Sequence, residues 1–129
     1  MVRQFKNIGK VLILILLVLT WGCATTDYSQ RAYTALSVSK TSYDAAMTTA
    51  GDMHHAGKIN DTTAKEFIKY GDLYMNIHNE AVQGLLDYQM ASLEQKPDKQ
   101  AAQVKIMDVL AERLADLVAY LGKWKGGTQ

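Results

Sequence analysis

The side chains of this chain that could do chemistry are few: one thiol, Cys23, three imidazoles, His54, His55 and His78, and seven phenols. His54 and His55 are adjacent, so on a helix they point about 100° apart and do not form the i, i+4 pair that grips a metal. If the chain reverses near Ile59, His78 lies far down the returning arm. At about 1.5 Å per residue that leaves it roughly 20 Å from His54, whereas zinc ligands all stand about 2 Å from one ion. No metal site and no cofactor are expected. Tyr43, Tyr70, Tyr74 and Tyr88 fall on inward stripes of the helices derived below, with His78 beside them. Tyr43, Tyr74 and His78 therefore mark a candidate pocket between the helices. A narrow core with tyrosines at its rim accounts for the same pattern, because tyrosine packs its ring while its hydroxyl seeks a partner. A buried His78 meeting Tyr43 or Asp44 would be a pH-sensitive element of the fold; the plainer reading is a boundary His78 with its second nitrogen in water.

Other catalytic constellations are missing from the sequence. There is no Cys-x-x-Cys-His, no phosphate-binding glycine loop and no His-Glu-x-x-His. Glu112, Arg113 and Asp116 mix signs within one turn and read as a solvated face. A hydroxyl without a neighbouring base is not an activated nucleophile, so a noncatalytic protein is expected.

Position gives Cys23 its meaning. Arg3, Lys6 and Lys10 precede an unbroken apolar run, Val11 to Leu19, and no acid occurs before Asp27. That order of charge and apolar run is the layout of a secretory signal. Nine apolar residues cannot cover the roughly 20 needed to span a bilayer. The run ends at Leu19-Thr20-Trp21-Gly22-Cys23, and here the chain resembles bacterial lipoprotein precursors, in which a small residue precedes an obligatory cysteine. Gly22 and Cys23 match those two positions. The resemblance implies that the Cys23 thiol receives a diacylglycerol, that the chain is cut before it, and that further acylation holds the product on a membrane. An uncleaved anchor, or an ordinary cleavage site beside an unused cysteine, are the alternatives. Ala24 lacks the aspartate that resembles an inner-membrane retention signal in some bacteria, which points to the outer membrane, facing the periplasm.

Removing residues 1–22 from the 129 leaves 107, enough for one core. The leader takes three of the 14 basic residues and none of the 13 acids, so the formal charge falls from +1 to −2. Such a domain is a poor match for nucleic acid, which selects basic faces. Spacings of three and four along Tyr28, Ala32, Ala35, Ser39, Tyr43, Ala46, Ala50 and Met53 predict a helix from about 27 to 56, ended by Gly57. Asn60 or Asp61 can cap a second helix, to about residue 94, whose inner face is Phe67, Tyr70, Tyr74, Ile77, Ala81, Leu85 and Tyr88. Pro97 and Asp98 suit the entry to a third, with Ala102, Ile106, Val109, Leu110, Leu114, Leu117, Val118 and Leu121 inward up to Gly122. Short connections make successive helices antiparallel, so the expected fold is an all-α, up-down-up three-helix bundle. Its divisions are a signal peptide at 1–22, a lipidated linker at 23–27, the bundle at 28–122 and a tail at 123–129.

Chain direction then carries the functional expectation. With Cys23 at the bilayer, the 57–60 turn and the C terminus both lie distally. Lys58, Lys123, Trp124 and Lys125 gather there with His54 and His55, a basic, aromatic tip suited to an envelope protein or the cell-wall polymer. The chain is thus expected to be a membrane-anchored binding or spacing module. A small-molecule carrier using the tyrosine and His78 pocket is the alternative, and a frayed, solvated tail is the plain reading of the tip.

Overall fold

A computed structural model describes residues 27–125; Cys23 with its leader and residues 126–129 lie outside that range. Three helices follow one another, α1 (Tyr28–His55), α2 (Asp61–Met90) and α3 (Lys96–Lys125), with no strand among the described residues. They pack as an up-down-up bundle in which α2 touches both neighbours and lies most extensively against α3.

Local chemistry sets each boundary. Gly57 adopts φ +72°, the left-handed conformation that glycine takes most cheaply. Its N–H donates to the His54 carbonyl at 3.0 Å and that of Lys58 to the Met53 carbonyl at 2.9 Å, the paired bonds of a Schellman stop. Asn60, rather than Asp61, caps α2, its side chain accepting from the Thr63 N–H at 2.8 Å. Asp61 instead reaches back across the turn to His54, Oδ1 to Nε2 at 2.7 Å. The contact joins the C-terminal end of α1 to the N-terminal end of α2, where the Asp61 carboxylate is favoured by the helix dipole.

Two boundaries differ from the sequence expectation. α2 stops at Met90, where Ala91 turns extended at ψ 148°, although good helix formers continue to Glu94. The cause lies ahead. Pro97 needs the first turn of α3, and the Ser92 carbonyl accepts from Gln95 and Lys96 at 3.0 Å each to reverse the chain before it. α3 in turn passes through Gly122 to Lys125, so residues 123–125 are helical and not tail. Gly122 keeps a negative φ, and a glycine in helical conformation costs only about 1 kcal/mol without ending the helix.

The core is a narrow seam. On α1 the inward residues Ala32, Leu36, Ser39, Tyr43, Ala46, Ala50 and Met53 alternate four and three apart, the period of helices that supercoil about each other. Leu36 is buried where Ala35 was expected, and on α3 Gln103 takes the inward position expected of Ala102, while Val118 faces out. One cluster gathers Leu36, Tyr74, Ala81, Leu85, Tyr88 and Leu110; the other gathers Ala46, Ala50, Ile59, Phe67, Leu117 and Leu121. Small residues on α1 opposite aromatic rings of α2 let the backbones approach without voids.

The fragment 24–129 is expected to fold on its own and to be strongly helical. Within it Leu117→Ala, at a site with no exposure, should lower stability by about 2–5 kcal/mol, and half-buried Leu114→Ala by less. Urea unfolding followed by circular dichroism measures both, and a loss below 1 kcal/mol at Leu117, or a spectrum dominated by sheet, is the contrary result.

Candidate functional site

At the end of the bundle away from residue 28, Ile59 of the turn packs in the same cluster as Leu121 of α3, which brings the turn and the end of α3 together. An aromatic stack builds this end. Tyr120 packs against Phe67 with ring centroids 4.7 Å apart and against Tyr70 at 4.9 Å, while Trp124 meets its edge at 6.3 Å. Lys123 lies over the Tyr120 ring, 5.9 Å from the centroid. Trp124 remains 38% exposed, and Lys58, Lys123 and Lys125 point into solvent. A cleft of about 310 Å³ runs beside the stack, lined by Tyr70, Asp116, Ala119, Tyr120 and Lys123. The period of α3 is carried by its aliphatic residues and does not single out Tyr120, whose one signal in the sequence is its place one turn before Trp124.

At mid-bundle, Tyr43 and Tyr74 do come together, but they fill the space between the helices instead of lining it. Their rings stack at 4.5 Å, Tyr74 has no exposure, and its hydroxyl is 2.8 Å from Ser39 Oγ. Burial raises the pKa of both phenols above 10, the Ser39 hydrogen bond opposing this at Tyr74 and the Lys40 charge at Tyr43. Both are therefore neutral packing groups near pH 7, not proton acceptors.

His78 packs at a tilt against Tyr74, ring centroids 5.7 Å apart, and faces outward to an open groove between α1 and α2. The groove has a volume of about 610 Å³, a mostly apolar floor that includes Leu36, Val82 and Leu85, and Lys40 at its edge. His78 Nδ1 is buried without a well-aligned partner. Burial holds the His78 pKa below the ordinary 6.5 and the Lys40 ammonium pushes the same way, while the Leu36 backbone and Asp44 act against them. Lys40 is itself tied to Asp44 at 2.5 Å, which offsets its charge toward anything in the groove.

Among the described residues no group of three His, Asp, Glu or Cys side chains is arranged to hold a metal. Asp116 is drawn only loosely to Arg113, at 3.8 Å.

The lowered His78 pKa fixes a sign. The unfolded chain binds the proton more readily than the folded one, so the stability contributed by neutral His78 is present above about pH 6.5 and is lost as the pH falls through and below that value. Urea midpoints measured from pH 7.5 down to about 5.5 should fall for the natural chain and fall less for His78→Gln. Equal slopes for the two would show that His78 titrates as a solvated group.

No family model, no curated protein sequence and no solved structure matches this chain.

Proposed function

We propose that this chain is a noncatalytic bacterial envelope lipoprotein, anchored through Cys23 on the outer membrane, that presents a distal tip for contact with a protein or the cell wall. The observation that carries the reading is the aromatic and basic end built by Tyr120, Trp124, Lys58, Lys123 and Lys125, on the far side of the bundle from residue 28. A helix of 28 residues is about 42 Å long, so an anchor just before α1 would hold that end well clear of a bilayer. The anchoring is supported by the apolar run that ends at Gly22-Cys23. Among the described residues no helix is long and apolar enough to cross a membrane.

The second reading, a small-molecule carrier or sensor, draws on the groove beside His78. It loses support from the stacked Tyr43 and Tyr74, which occupy the interior it would need.

Two experiments separate these. Cys23→Ala should abolish incorporation of labelled fatty acid and block the cut before residue 23; normal labelling of that variant contradicts the anchor. For the tip, Trp124→Ala should weaken crosslinked capture of an envelope partner by about 2 kcal/mol with folding unchanged, and salt should weaken it further. A fusion that tethers the domain by its C terminus turns the tip toward the bilayer and should abolish capture. Capture unaffected by both changes would move the search to the helix faces.

A further inference from the structure

The inward line of α3 is Gln103, Met107, Leu110, Leu114, Leu117 and Leu121, alternating four and three residues apart. Its last two heptads are the same pair, Leu110-Leu114 and Leu117-Leu121. Sliding α3 by one heptad along α2 therefore exchanges leucine for leucine at two adjacent layers of the seam. A repetitive apolar seam does not fix its own register, and in coiled helices a single polar residue at an inward position does.

Gln103 is such a residue, with no exposure at all. Its Nε2 donates to the Ala81 carbonyl of α2 at 2.8 Å, using the carbonyl's second lone pair. Its Oε1 is buried without a donor and sits where the Cβ of any residue other than glycine at 84 would stand. On α2 the inward residues one heptad apart are Phe67, Tyr74, Ala81 and Tyr88, so Ala81 is the one small member of an otherwise aromatic line. Together with Gly84 it forms a notch, and the amide fills it.

We infer that Gln103 and the Ala81–Gly84 notch are a latch that sets the register of α3 on α2. Displaced by one heptad, the amide faces Tyr74 or Tyr88 and loses its notch, leaving a polar group buried with its bond to Ala81 broken. The latch also governs the far end of the molecule. Seven residues of helix are about 10 Å, so a slide of that size carries Trp124 away from the 57–60 turn and takes the distal tip apart. This inference is independent of what the tip binds.

Two measurements on the full chain, with Cys23→Ser to remove the natural thiol, test it. Gly84→Ala should lower the folding equilibrium constant by about tenfold or more, and adding Gln103→Ala should restore most of it, because the methyl then meets no amide. If Gly84→Ala prevents folding, the double variant should recover the helical signal. For register, disulfide formation is compared between Tyr70→Cys with Tyr120→Cys, whose rings now stand 4.9 Å apart, and Ile77→Cys with Tyr120→Cys, the pair brought together by a one-heptad slide. With Gln103 present only the first pair should close, and in Gln103→Leu the second should close in comparable yield. Additive costs of Gly84→Ala and Gln103→Ala, or exclusive closure of the first pair in Gln103→Leu, overturn the latch.

Discussion

Tyr74 stands at the middle of α2 with no exposure, stacked on Tyr43 of α1 and sharing a cluster with Leu110 of α3. Its hydroxyl reaches Ser39, so the one polar atom of a fully buried ring is satisfied across the helix interface. A bundle of three helices has room for a single line of side chains along its axis, and every layer must touch all three helices to bury its apolar area. The aromatic rings of α2 make that possible. Each spans the gap that the small residues of α1 leave open, and the leucines of α3 close the third side. Stability, helix spacing and the position of both ends follow from this seam.

The seam also explains the character of the surface. Tyrosine rings fill the interior at mid-bundle, and the space near His78 opens outward as a groove. His78 belongs half to the core and half to that groove, which is why its charge and its stability contribution are coupled. At the end formed by the 57–60 turn and the last turn of α3, the same packing overflows into the exposed pair of Tyr120 and Trp124. The end that carries function in the proposed reading is thus a continuation of the core, and it is as rigid as α3 and its register permit.

Much of the bundle was legible in the sequence. Spacings of three and four marked three helices, and Gly57 and Asn60 marked the first turn by their backbone and capping chemistry. What failed shares one cause: the deciding partner is distant. Nothing at Ala91 stops a helix; the need to reverse before Pro97 does. Gly122 looks like a stop, but only a positive φ would make it one. Gln103 is polar and so reads as outward, yet the Ala81–Gly84 notch draws it in, and the single hint was its place one heptad before Leu110. In the candidate site, the nearness of the 57–60 turn to the end of α3 followed from up-down-up order. The filling of the tyrosine pocket did not, because a ring that lines a cavity and a ring that plugs it have the same spacing.

The proposed arrangement, an anchor at one end of the seam and an exposed tryptophan at the other, gives its own spectroscopic probe. The chain has two tryptophans, and removal of residues 1–22 takes Trp21, leaving Trp124 as the only one. In the lipidated protein on bilayers, its fluorescence measured against quenchers in each phase is the most direct test. The account predicts quenching by iodide in water and none by brominated lipid tails. Quenching by the lipid would put the tip at the membrane and contradict the account.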